Sequence, residues 1–162
     1  MGYNYGKAFE RVFRDDWRRS FPGGTIDRVY DTVGSYSGVR NVCDFIAYSY
    51  PSIYYLECKS HRRGRTWNLG YLTQLDRLRT KVGVRGAVAG VVLWMVEERR
   101  IFFLPVEGVL RMLEDGLKSF STRLDFGAYG IVEIPVVKAG RTFCHGDYSV
   151  LRREDDGERE DK

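Results

Sequence analysis

Residues 42–59 constrain the fold of this chain more than any other stretch. Apart from Asp44, Glu57 and Lys59 they are mainly β-branched, aromatic and other apolar residues, and Pro51 divides them into two runs of similar length. This pattern predicts two short β-strands joined by a turn. If the turn is centred between Tyr50 and Pro51, residues whose numbers add up to 101 lie opposite one another across the hairpin.

The three charged residues of this hairpin define its candidate chemistry. In that register Asp44 faces Glu57, with α-carbons roughly 4.5 to 5.5 Å apart. Lys59 projects to the same side as Glu57, because residues two apart on a strand share a face. Opposed carboxylates repel and so weaken a sheet, but they suit a divalent cation with an amine beside it. The alternative is that both acids are solvated strand ends and that Lys59 only pairs with Glu57.

The spacing of these residues, an Asp followed after twelve residues by Glu-x-Lys, resembles the core motif of the PD-(D/E)xK nuclease superfamily. Flanking segments narrow the resemblance to Holliday junction resolvases of the RecU-like type, particularly their compact phage and prophage branch. These segments are Tyr30-Asp31 and residues 34–38, 41–46 and 54–59, and the resemblance covers about residues 6–105. Cys43 stands where the superfamily often has proline, and the 31–42 segment is shorter than the stalk-forming insertion of RecU.

The resemblance implies an α/β protein with a restriction-endonuclease-like fold, in which helices flank a central mixed β-sheet in the order α-β-β-β-α-β. It implies an endonuclease that needs Mg²⁺, with Mn²⁺ able to substitute. Such an enzyme resolves four-way DNA junctions by paired symmetric cuts, acting as a homodimer. Two other functions stay open: another repair-type or restriction-type nuclease of the superfamily, and a DNA-binding domain of the same fold without catalysis.

The resemblance also assigns the candidate site residues. It implies that the catalytic residues are Asp44, Glu57, Lys59 and Glu10, and that the metal ligands are Asp44, Glu57, the backbone carbonyl of Cys58 and Glu10. Glu10 qualifies because residues 6–10 match the Gly-x-x-Phe-Glu pattern of RecU-like nucleases. An ordinary acid in the early turns of a helix explains Glu10 equally well. Asp31 either lies beside the metal ligands or caps the turn that follows it.

The charge distribution indicates a DNA partner. The net charge is +4, and residues 61–85 contain seven arginines and lysines but one acid. A basic stretch next to the candidate site suits a phosphate backbone, although a solvated helix face explains some of these bases. The candidate DNA-binding residues are Arg62, Arg63, Arg65, Trp67, Tyr36 and Gln74. Trp67 either stacks on a base or packs on the sheet, and Gln74 either lies near the site or is an exposed helix residue.

The spacing of apolar residues and the positions of glycine and proline predict the order of the helices and strands. We expect a helix over 6–20, with Phe9, Val12, Phe13 and Trp17 buried, a strand over 25–30 and the hairpin over 42–59. A helix over 69–82 should bury Leu72, Leu75, Leu78 and Val82. Strands follow over 87–96 and 101–104, then a short helix from Pro105 to Gly116 that buries Val109, Leu110 and Leu113. No pattern emerges over 118–130, and residues 131–137 read as an edge strand.

Length and composition predict a single nuclease domain over residues 1–151 and a charged, disordered tail over 152–162. No apolar run of 18 residues appears, so we expect no membrane association. Three cysteines without metal-ligand spacing fit a reducing compartment, and Cys58 should be buried on the opposite face from Glu57. The expected location is the cytoplasm of a bacterial cell or of a phage-infected host.

Overall fold

The computed structural model describes residues 2–30, 41–140 and 143–155. Its strands are β1 (Thr25–Arg28), β2 (Phe45–Ser49), β3 (Ser52–His61), β4 (Thr66–Asn68), β5 (Ala87–Met95), β6 (Arg100–Pro105), β7 (Ser119–Ser121), β8 (Val132–Ile134), β9 (Val136–Ala139) and β10 (Cys144–Gly146). The α-helices are α1 (Tyr5–Ser20), α2 (Leu75–Leu78) and α3 (Val106–Glu114). Turns of 3₁₀-helix cover Leu69–Tyr71, Arg79–Lys81, Gly127–Tyr129 and Tyr148–Leu151.

Helix α1 forms where the sequence predicts it, although Val12, which was expected to be buried, is half-buried. The Asn4 side chain caps its start by accepting a hydrogen bond from the backbone N–H of Lys7 at 3.1 Å. Phe9, Phe13 and Trp17 recur at helical spacing and are buried against the sheet. The helix therefore lies on one face of the sheet and holds its outward residues, including several arginines, toward solvent.

The hairpin has the predicted register. Strands β2 and β3 pair antiparallel from Phe45 opposite Leu56 to Ser49 opposite Ser52, so that paired residues add up to 101. The turn lies at Tyr50 and Pro51, as expected. Register matters for function because a shift of one residue would send Glu57 to the other face of the sheet.

The central sheet is mixed, in the order β1-β2-β3-β5-β6-β8. Strands β3 and β5 are parallel, and every other adjacent pair is antiparallel. Strand β5 alternates its side chains between two cores, with Val92 on the α1 side and Val91 on the α3 side. Coverage on both faces explains why this strand is valine-rich, as predicted.

The predicted helix over 69–82 is wrong. Two 3₁₀ turns and the four-residue α2 replace it. Leu72 and Leu78 are buried as expected and Leu75 is half-buried, but Val82 is exposed, so its predicted burial is wrong. Gly70 and Thr73 are weak helix formers. The Asn68 side chain accepts from the N–H of Gly70 at 2.7 Å and so caps a short turn only.

The later elements follow the prediction in part. In α3, Val109 is buried and Leu110 half-buried, but Leu113 is exposed and Met112 is buried in its place. Pro105 stands at the N-cap of this helix. The predicted edge strand over 131–137 divides at Pro135, which has no N–H to donate. Its first part is β8, which pairs with β6, and β9 pairs with β10 in a separate two-stranded sheet.

This architecture retains the expected α-β-β-β-α-β order, with helical turns in place of the second helix. Across the described residues, no helix is long and apolar enough to cross a membrane. The predicted domain boundary at residue 151 stays a prediction, and residues 156–162 of the predicted tail lie outside the described residues.

Candidate active site

Asp44 and Glu57 meet at the end of the hairpin. Asp44 directly precedes β2, and its Oδ2 accepts a hydrogen bond from the backbone N–H of Cys58 at 2.9 Å. The Asp44 and Glu57 carboxyl groups approach closely enough to share a hydrogen bond. The face-to-face arrangement expected from the register is therefore observed, and the backbone of β3 holds one of the two carboxyl groups in place.

Lys59 completes this group on the same strand. Its Nζ lies 3.3 Å from Glu57 Oε1. Glu57 is only 3% exposed, and burial, followed by the negative charge of Asp44, raises its pKa to about 7. The ammonium of Lys59 opposes this shift without cancelling it. Near neutral pH the carboxyl is consequently poised between its protonated and ionised forms, which is unusual for a structural glutamate.

Helix α1 brings a third carboxyl group to the same place. Burial raises the pKa of Glu10, and the neighbouring charge of Asp44 raises it further, while Arg28, Lys7 and Lys59 act in the opposite direction. Mutual electrostatic influence of this kind requires that these side chains lie near one another. The structure thus brings Glu10, which was assigned from the resemblance, together with the hairpin residues.

Arg28 is the site residue that the sequence analysis missed. Its Nη2 lies 3.1 Å from Glu10 Oε2, and its Nη1 donates to Asp44 Oδ1 at 2.8 Å and to the Asp44 carbonyl at 3.2 Å. The guanidinium also lies over the Phe45 ring, 5.3 Å from its centre. Pairing of Arg28 with Phe45 in the β1–β2 ladder places it beside Asp44. A register for β1 could have revealed this contact, but a four-residue strand gives little pattern from which to derive one.

The donor set fits a hard divalent cation, although its present arrangement is closed. Among the described residues, no three His, Cys, Asp or Glu side chains are arranged to hold a metal ion. Arg28 pairs with oxygens of Glu10 and Asp44, and Lys59 pairs with Glu57, which lies beside Asp44. Three carboxyl groups in one place nevertheless offer the oxygen ligands that Mg²⁺ prefers. The residues fit such an ion once their carboxylates turn from these partners.

Cys58 lies between the two charged residues of β3. Its side chain is buried in the core on the α1 side, as predicted, and burial raises the pKa of its thiol well above the usual value. A buried, protonated thiol is a poor metal ligand. Only the backbone carbonyl of Cys58 therefore remains a candidate ligand, and that assignment stays a prediction.

The candidate DNA-binding residues have different environments. Arg62 and Arg63 are exposed, and the Arg62 guanidinium lies 5.5 Å from the centre of the Tyr5 ring. Arg65 pairs with Glu98 at 3.2 Å, so part of its charge is neutralised. Trp67 is only 2% exposed and belongs to the core beneath the sheet. Trp67 therefore packs on the sheet. The alternative prediction, that it stacks on a DNA base, is wrong because the ring does not face solvent.

The structure does not place three further candidate residues at the site. Gln74 is half-buried at the N-cap of α2, where its side chain accepts a hydrogen bond from Thr73. Asp31 and Tyr36 lie outside the described residues, so the roles proposed for them stay predictions.

The raised pKa of Glu57 predicts an unusual pH dependence of stability. A carboxyl whose pKa is higher in the folded than in the unfolded chain destabilises the fold as pH rises from about 4.5 to about 7. We expect Glu57→Gln to stabilise the metal-free protein at about pH 8 by about 3 kcal/mol, and to have little effect at about pH 4.5. Urea unfolding in EDTA at both pH values measures this difference.

Glu107→Gln provides the matched control, because it removes an exposed carboxylate on α3. This substitution should change stability by no more than about 0.5 kcal/mol at either pH. A Glu57→Gln protein that is less stable than the wild type at about pH 8 would contradict the proposed electrostatic strain.

Comparison with known proteins supports the fold and the superfamily. No family model and no curated protein matches the chain. Among solved structures, it is similar to Hjc of Archaeoglobus fulgidus, described as a Holliday junction resolvase from an archaeal hyperthermophile. The two share 25% identity over 77% of this chain and 92% of Hjc, with a TM-score of 0.52. The chain therefore has the predicted restriction-endonuclease-like fold, and the resemblance to the PD-(D/E)xK superfamily is supported, whereas the RecU-like branch stays a prediction.

Proposed function

We propose that this protein is a metal-dependent DNA endonuclease that resolves four-way junctions. One observation carries the proposal: Asp44, Glu57, Lys59 and Glu10 converge at one end of the hairpin, on a fold similar to that of a junction resolvase. Clustered carboxyl groups cost stability, so a structural role accounts poorly for them. We also propose, more specifically, that it belongs to the RecU-like branch of junction resolvases.

Each residue has a role that its position permits. Asp44, Glu57 and Glu10, with the carbonyl of Cys58, would hold Mg²⁺ or Mn²⁺. When bound, such an ion acts as a Lewis acid and stabilises negative charge on the phosphate. Lys59 is half-buried beside Glu57 and can donate a hydrogen bond to the attacking water or to a phosphate oxygen. The reaction is hydrolysis of a DNA phosphodiester by water.

The outward face of α1 offers a path for the DNA. We define the α1 ridge as Lys7, Arg11, Arg14 and Arg18, which fall on one face because they are spaced by four, three and four residues. Lys7, Arg11 and Arg18 are exposed, and Arg14 is half-buried. The ridge extends about 16 Å along the helix axis. Glu10 lies at its flank, so a phosphate backbone bound to the ridge would pass beside the carboxyl groups.

Two strands of a junction must be cut, whereas one site of this kind cuts one strand. A homodimer with twofold symmetry supplies two sites in symmetric positions, and such dimers are the commonest oligomers. We therefore propose a homodimer as the active form.

The cleavage reaction tests the proposal directly. We expect the wild type with Mg²⁺ or Mn²⁺ to introduce paired symmetric nicks into a four-way junction, and EDTA to stop the reaction. Asp44→Ala and Lys59→Ala should each slow cleavage by about 100-fold or more, because each removes a group that acts on the reacting phosphate. Both variants should still bind the junction in a gel-shift assay.

Asp27→Ala is the matched control, since Asp27 is an exposed acid of β1 that pairs with Ile46 and lies one residue from Arg28. This variant should cut at the wild-type rate. Full-rate cleavage by Asp44→Ala would place the active site elsewhere. Digestion of duplex ends without junction selectivity would favour another nuclease of the superfamily, and binding without cleavage would favour a non-catalytic domain.

The proposed role of the α1 ridge in DNA binding can be tested separately. We expect Arg11→Ala combined with Arg18→Ala to weaken junction binding and to make the log–log dependence of affinity on salt shallower by about 2. Arg111→Ala combined with Arg123→Ala removes two exposed arginines from α3 and the segment after β7. Fluorescence anisotropy at several salt concentrations compares the two double variants, and equal salt slopes would exclude the ridge from the DNA path.

A further inference from the structure

The Arg28 side chain lies where the acidic groups of the candidate site converge. One guanidinium bridges two carboxylates, through Nη2 to Glu10 at 3.1 Å and through Nη1 to Asp44 at 2.8 Å. A further bond from Nη1 to the Asp44 carbonyl at 3.2 Å fixes the approach of the group. Arg28 thus contacts the same two side chains that the proposed function assigns to a divalent cation.

These contacts are held in a partly desolvated setting. The side chains of Arg28, Glu10 and Asp44 are 27%, 23% and 20% exposed, respectively. Ion pairs shielded to this extent are stronger than those on an open surface. The Phe45 ring supports the guanidinium from one side, so its position does not depend on the carboxylates alone.

We propose that Arg28 is a positioning residue that neutralises Glu10 and Asp44 in the metal-free protein and competes with the divalent cation for their oxygens. This inference rests on the proposed metal site. It explains how the Glu10 and Asp44 carboxylates can lie close together, because both pair with one guanidinium. Binding of the cation requires that Arg28 releases at least one of the two carboxylates.

This competition would couple binding of the divalent cation to binding of DNA. A guanidinium binds a phosphate through two parallel hydrogen bonds, as it binds a carboxylate. A DNA phosphate that takes Arg28 would release Glu10 and Asp44 for the cation, and the cation would in turn release Arg28 for the phosphate. By linkage, each ligand raises the affinity of the other. Metal binding at the site would therefore be weak without DNA and stronger with it.

Metal titration of Arg28 variants tests the inference. We expect Arg28→Met to bind Mn²⁺ about tenfold or more tightly than the wild type in isothermal titration calorimetry, because a competing positive charge is gone. Arg28→Lys keeps the charge and should stay within about threefold of the wild type. A purely structural role predicts a lower melting temperature for Arg28→Met without tighter metal binding.

Arg100→Met is the matched control for this titration. Arg100 also pairs with a carboxylate, Glu133, and lies over an aromatic ring, that of Phe102 at 4.9 Å, but it belongs to β6. Its loss should leave the Mn²⁺ affinity unchanged. Asp44→Asn in the Arg28→Met background should abolish the added affinity, which assigns the binding to this site.

A second measurement needs no substitution and so does not depend on the folding of a variant. In the wild type, Mg²⁺ should shift the ¹⁵N side-chain resonance of Arg28 in NMR spectra and leave that of Arg100 in place. Mn²⁺ binding by the wild type with no gain in Arg28→Met, or Mg²⁺ saturation without a shift at Arg28, overturns this inference alone. Failure of every protein to bind either ion overturns the metal-dependent function as well.

Discussion

Repulsion between the Asp44 carboxylate and those of Glu10 and Glu57 is the electrostatic constraint on which the rest of this site depends. Three carboxyl groups meet two cationic side chains, Arg28 and Lys59, and the buried Glu57 retains a pKa of about 7. Such a group would separate if the chain around it were free to move. The fold must therefore supply the stability that the site itself lacks, and the paired cations Arg28 and Lys59 offset part of its negative charge.

Packing of the sheet and α1 holds in place the elements that carry the site residues. The hairpin β2–β3 packs under α1 through Phe45, Tyr54 and Leu56, while β5 covers the other edge of β3. Cores on both faces of the sheet restrain β3 from Tyr54 to Cys58. Glu57 and Lys59 lie on β3, Glu10 lies on α1, and the Cys58 N–H holds Asp44 directly before β2. Such rigid supports favour precise positioning of a reacting phosphate.

The sequence predicts the parts of the site that strong local patterns encode. Pro51 and the alternating apolar residues give the hairpin register, and this register brings Asp44 to Glu57. Arg28 is not predictable in this way, because Glu10 lies on the distant α1 and the four-residue β1 gives too little pattern to derive its pairing beside Asp44. The spacing of Leu72, Leu75, Leu78 and Val82 indicates a long helix. Separate short turns instead bury Leu72 and Leu78 and leave Val82 exposed. Periodicity thus finds some core residues, such as Leu72, Leu78 and Val109, but it does not fix which backbone bonds form or the burial of Val82 and Leu113.

The central claim is that these carboxyl groups form a binding site for a divalent cation beside Lys59. Anomalous diffraction from a crystal grown with Mn²⁺ tests it most directly. The account predicts one strong peak within coordination distance of Asp44 and Glu57 oxygens, with the Arg28 guanidinium withdrawn from at least one of its present carboxylates. Manganese bound elsewhere, with the bridge from Arg28 to Glu10 and Asp44 intact, would contradict it.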